Sequence, residues 1–134
     1  MLMKFCVTKL ERLVSNMGNN LVKKLLNQKL RKSRVRSSVY GTSIRPRMSV
    51  KISNKQVSAQ IIDDSKQHTI VASSSVGNNE LKNLTDKASF VGTDIAKKAK
   101  KVGLKTVVFD RNGRRYAKRL IALADAARKE GLEF

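Results

Sequence analysis

The sequence is poor in most of the residues from which disulfide scaffolds, metal sites and membrane proteins are built. Its 134 residues include one cysteine, one histidine and one proline. A lone cysteine, Cys6, cannot form an intrachain disulfide, which is compatible with a reducing compartment. Cys6 and His68 together cannot furnish the nitrogen and sulfur ligands of a structural zinc site. Cys6 therefore reads as a small apolar residue of a helix. Two tyrosines and four phenylalanines are too few to pave a base-stacking platform for single-stranded nucleic acid. No apolar run approaches the roughly 20 residues that span a bilayer. The first ten residues lack the long apolar stretch and small-residue cleavage site of a secretory signal; a mitochondrial transit peptide fits their basic character better.

Acid is scarce too. Ten aspartates and glutamates face 29 lysines and arginines, a formal net charge of +19. An excess of this size repels itself in a folded chain unless a polyanion neutralises it. Because the basic residues run along nearly the whole chain, nucleic acid is favoured over an anionic membrane or an acidic protein. The charge is uneven: residues 1–51 hold 13 basic and 1 acidic residue, residues 52–134 hold 16 and 9. A basic, largely helical extension over 1–46 and a globular domain over 47–134 follow from this.

Leu10, Leu13, Val14, Met17, Leu21, Leu25 and Leu26 recur at spacings of three and four and predict a helix over 7–32. Gly18-Asn19-Asn20 is a natural break in it. The apolar stripe suits docking on a neighbour; a membrane-surface helix would want more bulky aromatics. Lys29, Arg31, Lys32, Arg34 and Arg36 then place five cations in eight residues. Arginine suits phosphate because its planar fork donates two hydrogen bonds at once.

Pro46 pushes Arg45 extended, so a strand should follow it. Arg47–Ser53 alternates Met48, Val50 and Ile52 inward with Arg47, Ser49 and Lys51 outward. Gln56–Asp63 turns Val57, Ala59 and Ile61 inward, and Gln67–Ser74 puts Ile70 and Ala72 on one face. Tight turns at Ser53–Lys55 and Asp63–Lys66 make these an antiparallel three-strand meander. Thr85 is expected to cap a helix that buries Ala88, Val91, Ile95, Ala99 and Val102 and stops at Gly103. Lys105–Phe109, continuously apolar, reads as a central strand. After a turn at Asp110–Gly113, a last helix is expected from about Arg115 to Glu130, burying Leu120, Leu123, Ala124 and Ala127. Tyr116 and Arg119, three apart, would share its face, with Arg111 and Arg119 clamping one RNA backbone segment beside Tyr116. The order β-β-β-α-β-α makes a single α/β domain: a mixed sheet with a βαβ-type, right-handed crossover.

Four ordered blocks carry a resemblance. They are Arg34-Val35-Arg36; Gly41-Thr42 through Arg45-Pro46-Arg47-Met48-Ser49-Val50; Ser53-Asn54-Lys55 through Ala59-Gln60-Ile61-Ile62-Asp63-Asp64; and Val107-Val108-Phe109-Asp110-Arg111 with Tyr116, Arg119 and Ala122–Phe134. Over residues 31–134 the chain resembles the family of large-subunit ribosomal protein eighteen. That resemblance implies a structural constituent of the central protuberance, on the cytoplasmic ribosome or, as the alternative, an organellar one. Its implied partners are 5S rRNA, 23S rRNA and the neighbouring large-subunit proteins of the 5S rRNA complex. The implied RNA-binding positions are Arg31, Lys32, Arg34, Arg36, Arg45, Arg47, Ser53, Asn54, Lys55, Gln56, Arg111 and Arg119, with Tyr116 beside them. Lys29 joins them from the basic run, and Arg114 because it puts a cation where the family usually has an aromatic or aliphatic residue. Arg115 departs in the same way. Asn112 stands where the family usually has a second glycine, Ala117-Lys118 where it has histidine and glycine, and Ser58 where an aromatic is common. No family counterpart is placed for residues 1–28, and Met17 is a candidate internal start.

Two rivals are weaker. A ribonuclease-H-like nuclease needs carboxylates converging on the sheet, commonly one in the first strand, and Arg47–Ser53 has none. A nonspecific nucleoid or single-strand binder would stack bases on aromatics, which make up only 4% of this chain. Neither a phosphate-cradling glycine loop nor a nucleophile–base pair is present. No catalytic residue, cofactor, metal, small-molecule substrate or membrane contact is expected.

Overall fold

Alternating apolar residues build the sheet, and two amphipathic helices close one side of it. The computed structural model describes residues 19–134 apart from Asn79 and Leu81; the expected start of the first helix, Cys6 and Met17 lie outside the described residues. The elements are α1 (Asn19–Arg36), β1 (Arg47–Ile52), β2 (Val57–Asp63), β3 (His68–Ser74), α2 (Leu84–Lys101), β4 (Val108–Asp110) and α3 (Lys118–Lys129). The sheet order is β3-β2-β1-β4, with β1, β2 and β3 an antiparallel meander and β4 parallel to β1. The α/β fold with a mixed sheet stands as the sequence predicts.

Met48, Val50, Ile52, Val57, Ala59 and Ile61 are buried on one face of β1 and β2. They meet Ala88, Val91, Ile95 and Ala99 of α2 and Leu120, Leu123 and Ala127 of α3 in one core. A Cβ on Gly92 would run into the carbonyl of Leu123, so glycine lets the two helix backbones touch. Both helices end in the same way. The N–H of Gly103 bonds to Lys100 and that of Leu104 to Ala99, while Gly131 bonds to Arg128 and Leu132 to Ala127. Gly103 and Gly131 have φ of 80° and 92°, the left-handed stop read from sequence.

Several expectations are overturned. Arg47 does not point outward: it is 2% exposed, held between Asp64 and Asp110. In β3 it is Val71 and Ser73 that are buried, not Ile70 and Ala72. A bulge opposite Ile61/Ile62 leaves Ile70 unpaired, and one extra residue flips every later side chain to the other face. The N-cap of α2 is Asn83, without a side-chain cap, rather than Thr85, and Val102 is 55% exposed because the chain has already turned out of the helix. β4 is an edge strand, not a central one. Its apolar run is covered instead by the following chain: Phe109 stacks on Phe134 at 5.2 Å, and Glu133 bridges to Thr106. α3 starts at Lys118, so Tyr116 precedes the helix and shares no face with Arg119. Finally, α1 runs on to Arg36, beyond the expected end at residue 32, and its Leu21, Leu25, Leu26 and Leu30 are half exposed.

Candidate nucleic-acid interface

Four segments bring the basic side chains together: α1, β1 with the β1–β2 hairpin tip, residues 82–87 at the start of α2, and the chain from Asp110 into α3. On α1, Lys24, Gln28 and Arg31 fall at spacings of four and three, so they share a helix face. With Arg114, Arg115, Lys118 and Arg119 they line an open groove of about 610 Å³. A second groove, about 620 Å³, is lined by Asn54, Lys55 and Gln56 of the hairpin tip together with Lys82, Lys87 and Arg119. A third, about 520 Å³, lies between α1 and the outer face of the sheet, where Lys32 and Arg36 face Lys51, Ser58, Gln60 and Arg114. Arg31, Arg34, Arg111 and Arg115 line a smaller hollow of about 270 Å³. None of the four is lined by a carboxylate among the described residues.

Asp63, Asp64 and Asp110 are used internally. Arg47 donates from Nε to Asp64 at 2.8 Å, from Nη2 to Asp64 at 2.7 Å and from Nη1 to Asp110 at 3.0 Å. The Arg47 guanidinium holds the Asp64 carboxyl down to about 2, and the backbone N–H of Gly41 adds to the effect. A hydrogen bond from the Ser43 hydroxyl holds Asp63 below the usual carboxylate range, helped by the N–H groups of Ser65 and Lys66. Asp110 also receives the N–H of Asn112 and the Nε of Arg36, the latter at 3.5 Å.

The sequence candidates divide accordingly. Arg31, Lys32, Arg34, Arg36, Asn54, Lys55, Gln56, Arg111, Arg114 and Arg119 all line these grooves. Lys29 is exposed on α1 outside them. Arg45, also exposed, donates to the Val107 carbonyl at 3.4 Å. Ser53 closes the hairpin: its Oγ accepts the N–H of Gln56 at 2.9 Å and donates to the Gln56 carbonyl at 3.0 Å. Tyr116 is partly exposed, its ring edge-on to Phe109 at 6.1 Å. Arg111 and Arg119 line different, adjoining hollows rather than a single one. Arg111 donates to the Arg114 carbonyl, and Arg114 to that of Ile52, which ties the loop to β1.

Sequence reasoning missed Lys24, Gln28, Lys51, Gln60, Lys82, Lys87 and Lys118. The α1 spacing could have found the first two. The others needed the topology, which sets the hairpin tip beside the start of α2. Among the described residues no group of three or more His, Cys, Asp or Glu side chains could hold a metal ion. No described helix is long and apolar enough to cross a membrane.

Residues 22–134 match the family described as ribosomal L18 of archaea, bacteria, mitochondria and chloroplasts. The chain belongs to the ribosomal L18 family. It is 53% identical over 103 residues to the large ribosomal subunit protein uL18 of Bacteroides fragilis, covering 77% of this chain and 90% of that relative. It is 49% identical over 121 residues to uL18 of a Prochlorococcus marinus strain, covering 85% and 98%. As a member of this family it is a structural, RNA-binding constituent of the large ribosomal subunit, and its bacterial relatives go with a cytoplasmic ribosome. The asparagine at a usual glycine position now has a physical reason. Asn112 has φ of 52°, the left-handed region that glycine and asparagine tolerate best. Its Nδ2 donates to Ser49 Oγ at 2.7 Å and to the Val50 carbonyl at 2.9 Å, pinning the loop where a glycine could not.

Proposed function

We propose that this ribosomal L18 protein binds 5S rRNA and helps attach it to 23S rRNA, beside the neighbouring proteins of the 5S complex, and that it has no catalytic activity. The observation that carries the reading is the set of adjoining grooves, lined by cations from four chain segments and by no carboxylate among the described residues. Such grooves suit the sugar–phosphate backbone of a folded RNA, because each Lys or Arg that meets a phosphate releases a condensed counterion. Scarcity of aromatics favours shape and phosphate recognition over base stacking. A nuclease reading gains nothing here: Asp64 and Asp110, which would have to hold a metal, share Arg47 between them.

The test is a salt titration of 5S rRNA binding. About five or more phosphate contacts should give a log–log slope of about −4.5 or steeper, at roughly −0.9 per contact on duplex-like RNA. A slope shallower than about −2 would contradict a multi-groove interface.

A further inference from the structure

The tip of the β1–β2 hairpin is tied down at two points. Lys87 of α2 donates to the Lys55 carbonyl at 2.9 Å. The second tie is Ser75, which carries the β2–β3 ladder one residue past the end of β3. Its N–H bonds to the Val57 carbonyl at 2.9 Å, and its Oγ accepts the Val57 N–H at 2.9 Å. The residue is completely buried, and its hydroxyl donates to Gln56 Oε1 at 2.6 Å. A serine hydroxyl has one hydrogen. Turning the Gln56 amide over would aim its NH2 at Ser75 and leave that hydrogen without an acceptor inside the protein. The Val57 N–H and the Ser75 hydroxyl together therefore select one orientation of the amide. Its Nε2 faces away from Ser75, and among the described residues no acceptor takes its N–H groups. Gln56 lines the same groove as Lys55, Lys82 and Arg119.

We infer that Ser75 is a positioning residue for RNA binding: it orients the Gln56 amide so that its N–H groups are offered to acceptor oxygens of the RNA in this groove. The lysines and the arginine around it attract a polyanion from any direction. A fixed amide rewards an oxygen only at one distance and angle. Gln56 thus adds register to a groove whose cations add charge. Because the amide is neutral, its contact releases no counterion. The inference rests on the RNA-binding reading above, but the hold of Ser75 on the amide can be tested without RNA.

In the free protein, nuclear spin relaxation of the Gln56 side-chain nitrogen reports whether the amide is held. It should be as rigid as the neighbouring backbone in wild type and mobile in Ser75→Ala. A mobile amide in wild type, or an equally rigid one in Ser75→Ala, overturns the inference. With RNA, Gln56→Met should weaken 5S rRNA binding about fivefold at an unchanged salt slope, because it removes a neutral contact. Ser75→Ala should weaken binding by no more than that, and should add nothing in the Gln56→Met background. An equal cost of Ser75→Ala in both backgrounds would mean a merely structural role and overturn the inference. Wild-type affinity in Gln56→Met would overturn it too. Should loss of the Val57 bond keep Ser75→Ala from folding, Ser75→Cys takes its place in every arm, because a thiol fills the site but donates weakly. Failure of the wild-type chain to prefer 5S rRNA would strike the underlying reading instead, and the relaxation measurement would still decide whether Ser75 holds the amide.

Discussion

Arg47 donates a hydrogen bond to Asp110 at 3.0 Å, and both side chains are almost completely buried. The same guanidinium makes two shorter bonds to Asp64. A buried ion pair adds little net stability over an apolar substitute, but removing one partner leaves uncompensated charge inside the protein. Arg47→Met is therefore expected to lower unfolding stability by about 3–5 kcal/mol. Urea denaturation measures it, and a change below about 1 kcal/mol would show that the two aspartates find other partners.

Acid should act on the same cluster. The folded-state pKa of Asp64 is lowered from 3.8 to about 2, first by hydrogen bonds from Arg47. The ionised carboxylate thus contributes stability that is fully present above pH 4. As pH falls from about 4 through about 2, the unfolded chain takes up this proton before the folded one, and the contribution, about 2 kcal/mol, is lost. The loss should be largely absent from Asp64→Asn, which is less stable than wild type at pH 7. Parallel stability curves for the two proteins over pH 2–5 would contradict the assignment.

Asn112 joins a left-handed backbone to two side-chain hydrogen bonds. Asn112→Gly keeps the backbone conformation and loses the bonds; Asn112→Ala loses both. A cost of about 1–2 kcal/mol is expected for glycine, with alanine costing about 1 kcal/mol more. Thermal melts of the pair give the order, and alanine proving the milder substitution would refute it.

Arg111 and Arg119 line separate hollows. Under the RNA-binding reading, each alanine substitution should cost roughly 1.5–3 kcal/mol of 5S rRNA affinity and flatten the salt slope by about one unit. Sites that share no partner should also add, so the double mutant should equal the sum to within about 0.5 kcal/mol. Strong non-additivity would support the single clamp that the sequence suggested.

Much of this was legible in the sequence because it rests on local rules. The β1–β2 hairpin shows in its alternation, the two helix stops in Gly103-Leu104 and Gly131-Leu132, and the family in four ordered blocks. What could not be read was long-range. Arg47 alternates with Met48 and so looked solvent-facing; only the return of Asp64 and Asp110 to either side of it makes burial tolerable. The bulge in β3 flips its faces with no Gly or Pro to mark it. β4 looked central because its apolar run is covered, but the cover is Phe134 rather than another strand. For the interface, the cations themselves were legible. Their partition into grooves was not, because it depends on where α1 lies relative to the turn at Gly113.

The central claim, selective binding of 5S rRNA, is tested most directly by competition at one moderate salt concentration. The full chain is bound to labelled 5S rRNA and challenged separately with unlabelled 5S rRNA, tRNA and random duplex RNA. Displacement by 5S rRNA at concentrations at least tenfold lower than either competitor is the predicted result. Equal displacement by all three at matched salt would contradict it and leave only a nonspecific polyanion binder.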